Sequence, residues 1–274
     1  MATLQTVQKI GPVLDLFTIE RPEWGVSEVA ATIDVPRSSA HALLSSLVDI
    51  GLLNCRARGR YRIGWRVVEL GQALRGTIDV RSCGAPVIDR LVEKYGETTH
   101  LAVMERWHVL YVDKVVGNHN ITVQGARVGA RLEAHCTAVG KVLLAQLEDT
   151  EIRRYLAGRT LRRLTPTTIT NPAALLDNLH VVRSSGVAFD LGEAVPEVDC
   201  VAAPIRDDMG SVVAALSMSV PASRFVANRI EYQRAVIAAA QEISRAIAEA
   251  SDAVVPLTRD DPTASDADRC RRAS

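Results

Sequence analysis

Arginine is concentrated in one short stretch of this sequence. Between Gly51 and Gly76 there are six arginines and one acidic residue, a local net charge of +5, whereas the 32 basic and 32 acidic residues of the whole chain cancel. Guanidinium groups pair with phosphate oxygens, so a row of them can follow a nucleic-acid backbone or enter a minor groove. The candidate phosphate contacts are Arg56, Arg58 and Arg60. The alternative is a solvated loop that is basic by chance.

A second group of chemically active side chains falls on one face of a predicted helix. Pro36 begins this helix and Gly51 ends it, and a rotation of about 100° per residue places its apolar residues on one side. The other side carries short polar groups that can hydrogen-bond base edges in a major groove. Together with Ser27, which precedes the helix before it, the candidate DNA contacts are Arg37, Ser38, Ser39, His41, Ala42 and Ser45.

These two groups need a scaffold, and the surrounding pattern predicts a winged helix-turn-helix. Apolar residues recur at helical spacing over residues 7–17, and Ser27 is typical of the N-cap of a short second helix. A short turn then leads into the third helix, and two strands, residues 52–55 and 61–63, flank the arginines. Two helices joined by a short turn and followed by a hairpin are typical of DNA-binding proteins. The alternative is a small three-helix bundle.

The five cysteines are far apart, odd in number and contain no CxxC pair. This spacing argues against a disulfide framework and a structural zinc site, and it predicts free thiols in a reducing cytoplasm. The sequence implies no metal and no cofactor. No apolar run approaches the roughly 18 residues that span a bilayer, so no membrane segment is expected.

Two other functions would use cysteine chemistry. In an enzyme, Cys200 and His135 would form a thiolate–imidazole pair and Lys141 would activate a nucleophile, although no third group that orients the histidine is evident. In a redox sensor, Cys200 or Cys136 would have a lowered thiol pKa. For Cys136 the expected cause is its position near a helix start and near Lys141. No resolving cysteine is close in sequence.

The rest of the chain is predicted to form an α+β sensor, an antiparallel sheet interleaved with helices, with one strand at residues 120–124. The helix predicted over residues 135–147 begins with small residues, which leave its first N–H groups open to an anion. The last helix, residues 222–250, is expected to bury a face that includes Val226 and Ile230. The expected division is a winged helix-turn-helix over residues 4–65, a linker helix over 66–78, an effector-binding unit over 79–250 and a disordered tail over 251–274.

Seven short motifs follow one another in the order of a known protein family. They are residues 35–41 (VPRSSAH), 59–64 (GRYRIG), 97–102 (ETTHLA), 135–141 (HCTAVGK), 164–170 (LTPTTIT), 200–204 (CVAAP) and 215–219 (ALSMS). On these residues the chain resembles the IclR family of bacterial transcriptional regulators over nearly its whole length. The resemblance implies an α+β fold in which a winged helix-turn-helix is joined by a helix to a GAF-like α/β effector-binding domain. It also implies homodimers that often pair into homotetramers on double-stranded DNA, and a repressor more often than an activator.

The resemblance further implies which residues face a small-molecule effector, such as a small organic or aromatic acid. Ser217 and Ser219 share one strand face and could hold a carboxylate together with helix N–H groups, while Asp190 could accept a hydrogen bond from a ligand hydroxyl. Alternatively, the serines bond the backbone, Cys200 is inert core and Asp190 caps a turn. The effector-facing candidates are Ala138, Val139, Asp190, Cys200, Ser217 and Ser219.

Two departures from the family pattern modify these expectations. The family commonly has a long basic or polar side chain at position 42, whereas Ala42 can only touch a thymine methyl, so we expect a different target sequence. Glu197 and Asp199 add negative charge near the expected pocket mouth and would repel a strongly anionic effector, which leaves a neutral or aminated ligand open. The two heads of a dimer are expected to read a palindromic operator in major grooves about 10 base pairs apart, or a multiple of that.

Overall fold

The computed structural model describes residues 4–75, 80–118 and 126–253. The chain divides into two compact units, residues 1–79 and residues 80–274. Among the helices of the described ranges, none combines the length and the apolar character that a bilayer span requires.

The N-terminal unit is a winged helix-turn-helix, as predicted. Its three strands form an antiparallel sheet in the order β1-β3-β2, and a 3₁₀ turn, Ala57–Gly59, connects β2 to β3. Val13, Leu44 and Leu53 are fully buried at the centre of its core. The elements are α1 (Gln5–Asp15), β1 (Trp24–Gly25), α2 (Val26–Thr32), α3 (Arg37–Asp49), β2 (Leu53–Arg56), β3 (Arg60–Ile63) and α4 (Arg66–Arg75).

The start of α2 differs from the predicted start. Gly25 is the N-cap, and Ser27 is the second residue of the helix, so the expectation of a Ser27 cap was wrong. The reason is that Glu28 caps the helix from its third position, because its Oε2 accepts a hydrogen bond from the Gly25 N–H at 2.7 Å. Strand β1 was not predicted, because two residues are too few to show an alternation of apolar and polar side chains.

The C-terminal unit is built on a six-stranded antiparallel sheet in the order β6-β5-β4-β9-β8-β7. This architecture confirms the α+β prediction. The elements are α5 (Val80–Tyr95), β4 (Thr98–Glu105), β5 (His108–Val115), β6 (Arg131–Glu133), α6 (Ala138–Leu144), α7 (Asp149–Leu156), α8 (Pro172–Ser185), β7 (Ala188–Leu191), β8 (Val198–Arg206), β9 (Val212–Pro221) and α9 (Ala222–Ala253).

The two faces of this sheet build two separate cores. On one face, Leu101 and Met218 pack with Ile88 of α5 and Ile243 of α9. On the other, which we call the inner face, side chains of the sheet such as Ala102 pack with α6 and α8. Neighbouring residues of one strand face opposite cores because side chains alternate along a strand. The inner face is the one that carries the predicted effector residues.

Several element bounds can be compared with the prediction. The helix predicted over residues 135–147 is shorter, because a 3₁₀ turn, Ala134–Cys136, precedes α6. The strand predicted at residues 120–124 lies outside the described residues. Because α9 continues to Ala253, the first three residues of the predicted tail are helical, and residues 254–274 lie outside the described residues.

The buried face of α9 was predicted wrongly at its start. Val226 and Ile230 are 76 % and 66 % exposed, whereas Phe225 and Tyr232 are buried and stack on each other at 6.1 Å. The two aromatic rings fill the space over the sheet that was assigned to the aliphatic side chains. Asn228 has non-helical dihedral angles and interrupts the helix between them.

Candidate DNA interface and effector site

Helix α3 presents a polar face to solvent. Arg37, Ser38, His41 and Ala42 are exposed, and the leucines of the opposite face are buried. Ser39 and Ser45 are only partly exposed. Ser39 lines a groove with Lys9 and Ile10 of α1, and Ser45 lies against the Tyr61 hydroxyl. Ser27 is exposed in the first turn of α2.

The arginines of the wing are not equivalent. Arg58 lies at the tip with a positive φ of 63°, is exposed, and forms no hydrogen bond or ion pair with another described residue. Arg56 is 3.9 Å from a Glu23 carboxylate oxygen. Arg60 instead donates to Glu28 Oε2 at 2.5 Å and to the Glu23 carbonyl oxygen at 2.9 Å. Arg60 therefore ties the wing to the rest of the unit, and its contact with a phosphate stays a prediction.

Glu28 is the centre of this network, and the sequence analysis assigned it no function. Its carboxylate binds Arg60, Arg21 and the Gly25 N–H. The Gly25 hydrogen bond, followed by the charges of the two arginines, holds the pKa of Glu28 below its ordinary value. Arg21 also lies 3.4 Å above the ring of Trp24. A capping-box pattern at residues 25–28 was the available signal, but nothing local indicates the distant Arg60.

Polar side chains of β7, β8 and β9 meet on the inner face. Asp190 lies opposite Cys200, and Cys200 lies opposite Ser219, whose hydroxyl is 3.1 Å from the thiol sulfur. Ser217 and Ser219 share this face, and all four side chains are at most 9 % exposed. The predicted residues of α6, Ala138 and Val139, pack into the same core. The structure thus brings together the six predicted effector residues.

Two more residues of the inner face were missed by the sequence analysis. His100 of β4 lies opposite Ser217, and its Nδ1 is 3.5 Å from Ser219 Oγ. Its ring meets Tyr111 of β5 edge-on, with 5.0 Å between ring centroids. Burial lowers the pKa of His100 to about 3 and raises the pKa of Tyr111, so both side chains are neutral at pH 7. No local signal could find them, because 119 positions separate His100 from Ser219.

Asp190 fixes the turn that follows β7. Its Oδ1 accepts hydrogen bonds from the N–H groups of Glu193 and Ala194, at 2.6 and 3.2 Å, which is the turn-capping alternative. Burial raises the pKa of Asp190 to about 7. The neighbouring Glu193 carboxylate pairs with the buried Lys141, whose Nζ also donates to the Phe189 carbonyl oxygen.

The threonine motif at residues 164–170 supports the same turn. Thr165 and Thr168 donate their hydroxyl hydrogen bonds to the Glu193 carbonyl oxygen, and Thr167 donates to that of Gly192. The turn after β7 is therefore fixed by Asp190 on one side and by the threonines on the other. The 164–170 motif thus positions this turn.

The start of α6 is less open than predicted. Thr137 Oγ1 accepts a hydrogen bond from the Gly140 N–H at 3.2 Å, so one of the N–H groups expected to face an anion is occupied. A side chain at Gly140 would lie 2.2 Å from the Ala134 carbonyl oxygen, which explains why glycine is needed there. The Gly140 N–H is therefore not open as predicted, and anion binding by the remaining N–H groups of this helix start stays a prediction.

Glu197 and Asp199, the two acidic residues expected near the pocket mouth, do not both lie on the inner face. Asp199 precedes Cys200 and so faces the opposite core, where the positive charge of Arg229 acts on it. Glu197 is exposed in the turn before β8. Asp199 therefore does not contribute to the expected repulsion of an anionic effector.

A cleft of about 500 Å³ opens at the start of α6, beside the Asp190 turn. Two arginines, Arg131 and Arg162, contribute to its lining, together with Glu133. Thr137 and Ala194 also line it, and these residues belong to the α6 cap and the Asp190 turn. Arg131 and Arg162 therefore place positive charge in a cleft that lies beside the start of α6 and the turn after β7.

Two sequence families match this chain. The family described as "Bacterial transcriptional regulator IclR C-terminal" matches residues 72–245, and the "IclR helix-turn-helix domain" matches residues 6–54. The chain belongs to the IclR family. The match to both family models therefore confirms the resemblance that the seven motifs indicated.

Several relatives of this IclR-family regulator are similar over most of their length. The regulator XynR of Escherichia coli K12 is 33 % identical over 225 residues, which cover 82 % of this chain and 89 % of XynR. The repressor AllR of Salmonella paratyphi A is 33 % identical over 224 residues, or 81 % of this chain and 82 % of AllR. A crystal structure of an IclR homologue from Microbacterium hydrocarbonoxydans, complexed with 4-hydroxybenzoate, has a TM-score of 0.76 and 29 % identity, covering 89 % of this chain and 99 % of the homologue. This chain is a DNA-binding transcriptional regulator.

The enzyme and redox alternatives find no support in this IclR-family protein. Its family and relatives are regulators, and His135 Nε2 lies 3.0 Å from the Arg162 carbonyl oxygen, whereas Cys200 contacts Ser219. Burial raises the pKa of the Cys136 thiol to about 12, and it raises the pKa of Cys200 well above its ordinary value. The expected lowered thiol pKa was wrong, because burial outweighs the charge of Lys141, which is paired with Glu193.

Proposed function

We propose that this IclR-family chain is an operator-binding repressor, present in the cytoplasm as a homodimer, whose DNA affinity is controlled by a small organic acid bound on the inner face. The observation that carries the proposal is the exposed polar face of α3, which shares one small unit with an arginine-bearing wing. The proposed DNA-reading helix lies in the unit of residues 1–79, and the proposed effector site lies in the unit of residues 80–274.

On the DNA side, α3 enters the major groove. Arg37, Ser38 and His41 reach bases and phosphates, and Ala42 reaches a thymine methyl, since these four positions are exposed. Arg58 and Arg56 bind phosphates from the wing, which adds affinity but little sequence information. Ser27, Ser39 and Ser45 contribute less, and Arg60 acts through the position of the wing.

The homodimer is supported by apolar side chains around α4. Trp65, Val67, Val68 and Leu70 are each at least 42 % exposed within six consecutive positions. Covering these side chains with a partner would remove apolar surface from water, which favours association. A second copy of the chain is the occupant that also fits the two-fold symmetry of a palindromic operator, and two dimers side by side would give the homotetramer.

On the sensor side, the proposed ligand is a small carboxylic acid. A carboxylate accepts several hydrogen bonds and donates none, which matches the hydroxyl of Ser217 on the inner face. Arg131 and Arg162 in the neighbouring cleft would attract it. The homologue complexed with 4-hydroxybenzoate makes an aromatic acid the first ligand to test. A coupling of about 1–3 kcal/mol between the two sites would change operator affinity by about 5–150-fold.

Retention of genomic DNA tests the proposal. Sheared genomic DNA from the source bacterium is passed over the immobilised protein and the retained fragments are sequenced, with and without 4-hydroxybenzoate. The double substitution Arg37→Ala/His41→Ala is expected to abolish the enrichment. The control Arg153→Ala, an exposed arginine of α7, should leave it intact. Equal retention of all fragments by the wild-type protein would contradict the proposal.

A further inference from the structure

His100 has a buried nitrogen that no other described residue pairs with. The side chain is 1 % exposed, and its Nε2 has no hydrogen-bond partner among the described residues. On the same inner face, the Ser217 and Tyr111 hydroxyls form no hydrogen bond with another described residue, although both residues are at most 5 % exposed. A buried polar group left unpaired destabilises a fold, so Nε2 of His100 requires an explanation.

The neighbouring cation does not supply the partner. Lys114 of β5 lies directly opposite His100, but its Nζ donates to the Ala126 carbonyl oxygen at 2.7 Å. Lys141, the other lysine near this face, is held by Glu193 and Phe189. The groups that the inner face offers to a ligand at this position are therefore His100 Nε2 and the hydroxyls of Tyr111 and Ser217.

The contacts around Ser219 indicate which nitrogen of His100 carries the proton. The Ser219 hydroxyl lies between Cys200 Sγ, at 3.1 Å, and His100 Nδ1, at 3.5 Å. An imidazole nitrogen is a much better acceptor than a thiol sulfur, so the hydroxyl donates to Nδ1 and the thiol donates to the hydroxyl oxygen. The proton of the neutral ring is then on Nε2, and Nε2–H is a donor that needs an acceptor.

We propose that His100 binds the effector directly: its Nε2–H donates a hydrogen bond to an oxygen atom of a small organic acid, beside the hydroxyls of Tyr111 and Ser217, and thereby determines which acids the regulator accepts. This inference rests on the proposed function, in which the inner face holds the acid. It adds β4 and β5 to a site that the predicted residues confine to α6 and to β7, β8 and β9.

A stability measurement tests the inference without any ligand. If Nε2 is unpaired in the free protein, His100→Leu made together with Ser219→Ala removes this donor and the hydroxyl that donates to Nδ1, and it should raise the midpoint of thermal unfolding by about 2–4 °C relative to Ser219→Ala alone. The control is Thr168→Val, because the Thr168 hydroxyl is also buried but donates to the Glu193 carbonyl oxygen at 2.7 Å. That variant should unfold at a lower temperature. Destabilisation of both variants to the same extent would overturn the inference.

A binding measurement tests it with ligand. Benzoate, 4-hydroxybenzoate, pyruvate and glyoxylate are titrated into the wild-type protein and into His100→Leu, His100→Gln and Ser217→Leu by calorimetry. For an acid that binds the wild-type protein, His100→Leu should lose about 10–100-fold in affinity, and His100→Gln, whose amide can still donate, should retain most of it.

The outcomes separate this inference from the function on which it rests. Normal binding by His100→Leu together with loss of binding by Ser217→Leu would overturn the role of His100 and leave the proposed effector site intact. A wild-type protein that binds none of the four acids would contradict the proposed effector class, and with it the ligand assigned to His100. The DNA-binding part of the proposed function is tested separately, by sequencing the genomic fragments that the immobilised protein retains.

Discussion

Arg60 on β3 donates to the Glu28 carboxylate on α2 at 2.5 Å, although 32 positions separate the two residues. The same carboxylate binds Arg21 and the Gly25 N–H, so one side chain joins the wing, the loop before α2 and the first turn of α2. Arg60 therefore holds the wing in place, whereas Arg58 at its tip is exposed to solvent.

Substitution of single wing arginines should separate these two roles. Arg58→Ala is expected to weaken binding to all DNA sequences alike and to reduce the slope of log affinity against log salt by about 1, because one phosphate contact is lost. Its urea unfolding midpoint should not change. Arg60→Ala should lower that midpoint. Fluorescence anisotropy over a salt series and urea titrations measure both quantities, and an unchanged salt slope for Arg58→Ala would exclude its phosphate contact.

The Glu28 network should make stability depend on pH in a defined direction. The pKa of Glu28 is below its ordinary value of 4.5 in the folded protein, so its ionised form stabilises the fold above that pH. This stabilisation is lost as the pH falls through the folded pKa. Glu28→Gln should therefore be less stable than the wild-type protein at pH 7, and the difference should shrink below about pH 4. The exposed Glu69→Gln is the control, and an equal deficit for Glu28→Gln at both pH values would refute the assignment.

Asp190 should act in the opposite direction. Its pKa of about 7 lies above the ordinary 3.8, mainly because of burial, so the protonated form is favoured by folding. The stability that this group contributes is fully present below about pH 4 and is lost as the pH rises through 7. Asp190→Asn keeps an oxygen that can accept from Glu193 and Ala194 but carries no charge. The variant should match the wild-type protein at pH 4 and exceed its stability at pH 8, as measured by denaturant unfolding. A variant less stable at pH 8 would contradict this.

Filling the inner face should uncouple the effector from DNA. Ser217→Leu places a bulky side chain on that face, and it should leave operator affinity unchanged while the response to an effector disappears. Ser184→Leu, at an exposed position of α8, is the matched control and should respond like the wild-type protein. The readout is operator affinity with and without the acid. A retained response in Ser217→Leu would locate the pocket elsewhere.

A charge on α4 should weaken the proposed dimer. Val68→Asp puts a carboxylate among exposed apolar side chains, and sedimentation velocity should detect monomers at concentrations where the wild-type chain is dimeric. Val181→Asp, at a valine of α8 that is 62 % exposed, is the control. If both variants sediment like the wild-type protein, the dimer does not use this face.

Local patterns predicted the elements well where local chemistry determines them. The bounds of α8 follow from Asn171, which caps its first turn, from Pro172 at its first position, and from Gly186, which ends it with a positive φ. The helical spacing of α3 likewise gave its exposed and buried faces. Relationships across the sheet could not be found in this way. The contacts of His100 with Ser219 and of Arg60 with Glu28 join elements that are remote in sequence.

Two errors have a common physical origin in burial that the sequence does not reveal. Cys136 was expected to have a lowered pKa because of Lys141, but both are buried and the lysine is paired with Glu193. On α9, Val226 and Ile230 were placed in the core, whereas the larger rings of Phe225 and Tyr232 occupy it. In each case a nearby feature was weighed without knowledge of what else packs there.

Selection of DNA from a random double-stranded library by the wild-type protein, beside Arg37→Ala/His41→Ala, tests the central claim most directly. We predict that the wild-type protein enriches one palindromic motif, with half-sites about 10 base pairs apart or a multiple of that, whose affinity falls steeply with salt. The double variant should lose the motif and keep only weak, salt-sensitive binding. If the wild-type protein enriches no motif, or if the double variant selects the same motif with the same affinity, the assignment of α3 as the reading helix is contradicted.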